Sequence, residues 1–254
     1  MTNRLFGLIS LILLTACAAV TPLPQETPAS PPTLEPVSMT PIRYLALGDS
    51  YTIGESVPER ERWPNQLADL LESSPQFTKF IGGNEGGRIE VTILARTGWT
   101  VDELWQGIQA GKVEPPYDLV SLLIGVNDQY RGYPVDGYRE DFRFMLGKAI
   151  EYAGGDPKRV IVLSIPDWGF TPFAASRDTE PISQSIDEFN AVNLEETEAV
   201  GAHYVDVTLI SRMAMDDFEL IAADRLHPSG KMYRMWAEKV LPVALEILSS
   251  EKGE

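Results

Sequence analysis

The sequence predicts one α/β domain over residues 42–250, a three-layer α/β/α sandwich on a five-stranded parallel sheet. Strand-like and helix-like segments alternate from Ile42 onward, which implies βαβ units joined by right-handed crossovers. The runs Leu119-Val120-Ser121-Leu122-Leu123-Ile124 and Val160-Ile161-Val162-Leu163 are nearly all apolar, as expected of parallel strands covered on both faces. The chain has 254 residues, 44% of them hydrophobic, enough for one sizeable core.

Two segments precede that domain. In residues 1–17, Arg4 supplies a positive start and Leu5 to Leu14 an apolar run too short to span a bilayer. The segment closes on Leu14-Thr15-Ala16-Cys17, which resembles the bacterial lipobox, where the cysteine is acylated and becomes the mature N-terminus. The expected location is therefore extracytoplasmic, as an envelope lipoprotein anchored to a membrane through lipid on Cys17. Residues 18–41 are rich in Pro, Thr, Ser and Glu; they cannot bury a core and read as an extended tether.

Within the domain the strand candidates are 43–48, 88–95, 118–124, 159–165 and 203–207. Helical spacing is plainest in Tyr138, Phe142, Met145, Ala149 and Tyr152, and again in Tyr233, Trp236, Val240 and Ala244. There is no P-loop and no GxGxxG after the first strand. A formal net charge of −16 argues against nucleic acid, which is bound by clustered Lys and Arg, and makes a monomer the expectation. The lone cysteine rules out an intramolecular disulfide and a cysteine-based metal cluster. With two histidines in the chain, His203 and His227, any mechanism needing a histidine base has two candidates.

Four polar blocks fall at strand ends or before a helix: Gly48-Asp49-Ser50 after the first strand, Gly98 after the second, Gly125-Val126-Asn127-Asp128 after the third, and Asp224-Arg225-Leu226-His227 before the last helix. In a parallel sheet all carboxyl ends lie on one edge, where such folds bind ligands. Together the blocks make an acyl-transfer set. Ser50 is a nucleophile that needs a base, His227 is that base, and Asp224 can reach its other ring nitrogen within one turn. The backbone N–H groups of Ser50 and Gly98 and the side-chain amide of Asn127 would receive the oxyanion.

These four blocks, in this order, resemble those of the SGNH (GDSL-type) hydrolases over most of residues 43–245. The resemblance implies a flavodoxin-like fold with strand order 2-1-3-4-5 and hydrolysis of esters or thioesters with no metal and no cofactor. It assigns Ser50 as nucleophile and first oxyanion donor, Gly98 and Asn127 as the other donors, and Asp224 and His227 as the rest of the triad. Tyr51 stands where the family usually has leucine, and Gly98 is chosen from several nearby glycines by following the strand.

Other residues carry plainer expectations. Asp49 is read as bonding loop backbone, Asp128 as structural, and His203 as structural because no serine or carboxylate block adjoins it. Trp99, Tyr51, Tyr130, Tyr133 and Trp168 fall in loops at the active edge and are candidates to line a pocket, though some would cover the core instead. The substrate class stays open: a lysophospholipid, a thioester, an acetylated sugar or a simple ester. Two rival readings are an acyltransferase on the same triad and a non-catalytic surface lipoprotein that binds glycans or a partner.

Overall fold

A computed structural model describes residues 41–81 and 87–250; the expected signal segment with Cys17, and nearly all of the tether, lie outside the described residues. Strands β1 (Ile42–Gly48), β2 (Ile89–Ala95), β3 (Leu119–Leu123), β4 (Val160–Leu163) and β5 (His203–Val205) form one sheet. All neighbours are parallel, and the order is β2-β1-β3-β4-β5. The order reverses at β1: the first crossover runs to one side of it and all later ones to the other. Right-handed connections then place the helix after β1 on one face and those after β2, β3 and β4 on the opposite face.

The helices follow that rule. Helix α1 (Ser50–Ile53) is one turn, α2 (Trp63–Glu72) and α3 (Pro75–Phe80) precede β2, and α4 (Val101–Ala110) leads to β3. After β3 come α5 (Val126–Tyr130) and α6 (Val135–Tyr152); α7 (Glu180–Val200) leads to β5, followed by α8 (Thr208–Arg212) and α9 (Gly230–Ser250). Helices α2 and α9 pack on each other, while α6 packs on α4 and α7. Trp63 of α2 and Tyr233 and Trp236 of α9 are fully buried, and so are Tyr138 and Phe142 of α6, the two stripes read from helical spacing.

Strands β4 and β5 stop short of the expected ranges 159–165 and 203–207, because side chains take over the backbone groups. Beyond Leu163 the Ile165 N–H donates to Asn190 Oδ1 at 2.7 Å, and the Asn190 amide donates back to the Ile165 carbonyl at 2.9 Å. Beyond Val205 the Val207 N–H donates to Ser164 Oγ at 2.7 Å. Each buried amide still finds a partner, so the strand can stop without an orphaned group.

The passage from β1 into α1 sets up everything at the carboxyl edge. Gly48 has Thr52 and the Leu123 carbonyl packed where a β-carbon would stand, so only glycine fits. Asp49 caps α1, its Oδ1 accepting from the Tyr51 N–H at 2.9 Å; the backbone bond expected of it is made, but to the start of a helix and not to a loop. Its other oxygen is buried with no hydrogen-bond partner among the described residues. Burial pushes the Asp49 carboxyl from 3.8 up to about 8, with the nearby Asp128 charge adding to the rise.

Two predictions follow from this passage. Gly48→Ala forces Thr52 or β3 to move and should lower the melting temperature by ~4–10 °C, the scale of an overpacked core, measured by calorimetry. Asp49 gains a raised pKa on folding, so its contribution to stability is whole below pH ~4 and drains away as the pH rises towards 8. Asp49→Asn keeps the cap without the ionisation. Its melting temperature relative to the parent should therefore climb by ~5 °C or more between pH 5 and 9, whereas a constant difference would refute a protonated Asp49.

Candidate active site

The sheet brings the predicted residues to one cavity. Ser50 is the first residue of α1, Gly98 lies in the turn after β2, Asn127 sits in α5 after β3, and Asp224 and His227 lie in the loop before α9. A cavity of about 210 Å³ is lined by Ser50, Gly98, Asn127 and His227, and its apolar wall includes Tyr130, Trp168 and Phe173. Asp224 stands behind His227, out of the cavity lining.

The Asp224–His227 pair is built by one tight turn. Arg225 takes a positive φ of 68°, and Asp224 Oδ1 accepts the N–H groups of both Leu226 and His227 at 3.0 Å. That leaves Asp224 Oδ2 at 2.6 Å from His227 Nδ1. Burial alone would raise the Asp224 carboxyl, but four hydrogen bonds, from the Ser56 hydroxyl, two backbone N–H groups and the ring, hold it down at about 2. An ionised carboxylate only accepts, so Nδ1 carries a proton, and of the two neutral tautomers this bond selects the one whose Nε2 is bare. The ring is 8% exposed and tilted against Tyr51, with centroids 5.5 Å apart. Among the described residues the ring's side-chain hydrogen bond is to Asp224, and none joins it to the Ser50 hydroxyl.

Three donors surround the same space. Ser50 opens α1, and the first N–H groups of a helix have no partner within it. Gly98 has a φ of 87° and open space where a β-carbon would stand, so its glycine is demanded by torsion and not by room. Its carbonyl accepts from Arg131 Nη2 at 2.7 Å. Asn127 Nδ2 donates one hydrogen to the Trp99 carbonyl at 2.9 Å, which fixes the amide and leaves its second hydrogen available. Asp128, next in the chain, is 2% exposed, and burial pushes its carboxyl up to about 7. Its two oxygens lie 3.3 and 3.4 Å from the Val101 N–H at the start of α4.

Of the five aromatic candidates, Tyr51, Tyr130 and Trp168 line the cavity. Tyr51 and Tyr130 are not in loops: Tyr130 ends α5, and α1 starts at once after the strand and buries the Tyr51 ring between His227 and Trp236. Trp99 packs over Gly107 of α4, and Tyr133 lies outside the lining. His203 opens β5, paired with Ile161 within the sheet. Among the described residues no group of three or more His, Cys, Asp or Glu side chains is placed to hold a metal ion.

Sequence reasoning missed three residues here. Ser56 donates to Asp224 Oδ2 at 2.6 Å across 168 positions of chain. Phe173 completes the aromatic wall, and Arg177 lies over the rings of Phe173, Trp168 and Tyr130 at 4.8, 5.0 and 5.6 Å. The segment holding the last two is a loop of 3₁₀ turns with no periodicity to read.

Comparison with known proteins bears on the family and the fold. The model of the GDSL-like Lipase/Acylhydrolase family matches residues 46–235. An arylesterase of Vibrio mimicus is 32% identical over 101 residues, which is 40% of this chain and 45% of that protein, so the match spans under half of the curated relative's length. Among solved structures, the psychrotrophic esterase EstA of Pseudoalteromonas sp. superposes with a TM-score of 0.60 at 17% identity, covering 82% of this chain and 100% of that one. The acetylxylan esterase Axe2 of Geobacillus stearothermophilus gives 0.60 at 19% identity, over 80% of this chain and 93% of that one. At such identities the structural likeness is one of fold. The match over residues 46–235 is the broader finding: the chain belongs to the GDSL-like Lipase/Acylhydrolase family.

Proposed function

We propose that this chain is a serine esterase that hydrolyses short-acyl esters through an acyl-enzyme on Ser50. The observation that carries the reading is one cavity lined by Ser50, His227, Gly98 and Asn127, with an ionised Asp224 bonded to the far side of the ring. Nε2 of His227 takes the Ser50 proton as Oγ bonds to the carbonyl carbon. The electron pair moved onto the carbonyl oxygen is received by the N–H groups of Ser50 and Gly98 and by the Asn127 amide. Collapse expels the alcohol, which takes the proton from His227, and water repeats the sequence on the acyl-enzyme.

The size of the cavity supports a small acyl group. Its 210 Å³ falls below the roughly 300–1,000 Å³ of clefts that hold drug-sized ligands, and Trp168 and Phe173 form part of its wall. The alcohol belongs on the His227 side, since that ring returns its proton. A groove of about 660 Å³, lined by Phe170, Arg177, Phe218 and Arg225 among others, is the candidate for it; one contact ties its lining to that of the cavity, the Phe173 N–H donating to the Arg225 carbonyl at 3.0 Å. A sugar or aryl alcohol suits a groove of rings and guanidinium groups, in line with the acetylxylan esterase and arylesterase among the similar proteins.

Sequence alone supports the remaining part of the reading, a monomeric domain at 42–250 held by the 18–41 tether to a membrane through acylated Cys17. Radiolabelled palmitate should be incorporated into the full chain expressed in bacteria and not into Cys17→Ser; equal labelling of both would refute the anchor.

The catalytic reading is tested on p-nitrophenyl esters from acetyl to palmitoyl. The ratio kcat/KM should peak at acetyl or butyryl, and a peak at eight carbons or longer would overturn the small acyl pocket. Ser50→Ala should lose at least ~10³-fold in kcat, and Asn127→Ala ~10²–10³-fold, with both variants folded.

A further inference from the structure

The loop leaving α1 touches both halves of the machinery just proposed. Helix α1 ends at Gly54, whose φ is 69° and whose N–H donates to the Ser50 carbonyl at 3.0 Å. Glu55 accepts a short hydrogen bond from the Thr97 hydroxyl, and Thr97 is the residue before Gly98. Ser56 then takes a φ of 66° and donates its hydroxyl to Asp224 Oδ2 at 2.6 Å. That oxygen is the one that faces His227 Nδ1.

The torsion of Ser56 is informative. A side chain is strained at positive φ and is kept there only when its surroundings demand it, whereas glycine would sit there freely. Ser56 and Arg225 are the non-glycine residues with positive φ among those described, and they flank one carboxylate: Ser56 bonds it and Arg225 follows it in the chain. Oδ1 of Asp224 is filled by two backbone donors, and Oδ2 would hold the ring alone without Ser56. With Ser56 in place the carboxylate is fixed from both ends, so its direction towards Nδ1 cannot swing.

We infer that Ser56 is a positioning residue of the esterase: its hydroxyl fixes the Asp224 carboxylate, and through it the His227 ring, while Glu55 of the same loop steadies the Gly98 turn. The inference rests on the Ser50–His227–Asp224 reading. The loop thus ties the orientation of the base to that of an oxyanion donor.

Two variants separate positioning from plain structure. Ser56→Gly removes the hydroxyl and the torsional strain together; Ser56→Ala removes the hydroxyl and keeps the strain. With p-nitrophenyl acetate, both should lose about 10-fold in kcat, the scale of a misplacement below 1 Å, with KM held within about twofold. The glycine variant should nonetheless melt ~3 °C above the alanine variant. Parent-like kcat in either variant, or activity that follows melting temperature, would overturn the inference. Nitrogen-15 NMR of the His227 ring reads the same contact without turnover. Its Nδ1 signal should move in both variants, and an unmoved signal would overturn the inference too. Ser50→Ala serves as control: if it keeps parental turnover, the esterase reading fails by itself, while the ring signal still decides whether Ser56 orients the pair.

Discussion

Everything at the active edge depends on the parallel pairing of β1 with both β2 and β3. Parallel strands put their carboxyl ends on one edge, and the reversal of order at β1 opens a crevice there, because the chains leaving β1 and β3 turn to opposite faces. Three of the four polar blocks leave these three adjacent strands, so Ser50, Gly98 and Asn127 converge without any long-range design of the loops themselves. The fourth block is delivered by the loop before α9, whose Tyr233 and Trp236 are buried in the core. The proposed catalytic geometry is thus inherited from the sheet, and the packing of α9 decides where the proposed base, His227, arrives.

The same edge shows how one residue type is made to do three jobs. Asp49 and Asp128 are buried with few donors and are pushed up to about 8 and about 7; Asp224 is half-exposed, richly bonded and held at about 2. Desolvation wins in the first two cases and hydrogen bonding in the third. Near neutral pH the proposed base therefore meets a full negative charge at Asp224, while the carboxyl next to the proposed nucleophile stays largely neutral. In the proposed mechanism a charged Asp49 beside Ser50 would oppose the build-up of negative charge on the oxyanion, and its burial removes that conflict.

The fold was legible in the sequence because its signals are local. Near-continuous apolar runs marked β3 and β4, helical stripes marked α6 and α9, and short polar blocks marked the strand ends. The strand order came from the resemblance those blocks carry and not from periodicity. What stayed hidden depends on contacts between distant segments. Asn190 of α7 ends β4 early, and no pattern within 159–165 shows that. Ser56 looks like a turn residue until Asp224 folds against it. Tyr51 read as a loop residue because nothing local shows that a helix begins at Ser50; the Asp49 cap, which does begin it, was read only as a loop hydrogen bond. Phe173 and Arg177 sit in a segment without periodicity, so their approach to Trp168 had no sequence signal.

One feature of α5 reaches further than the chemistry. From this single turn Asn127 grips the Trp99 carbonyl, Asp128 the Val101 N–H, and Arg131 both the Gly98 carbonyl and Glu103. Two stretches of the chain, 97–103 and 126–131, are thereby stitched into one cassette that carries two of the proposed oxyanion donors. The cavity wall, by contrast, is borrowed in large part from elsewhere, through Trp168, Phe173 and Leu226. A protein engineer, or natural drift, can re-cut those wall positions to suit a new ester while the cassette is handed down intact. Transplanting either stretch alone would carry half a clasp into a new host.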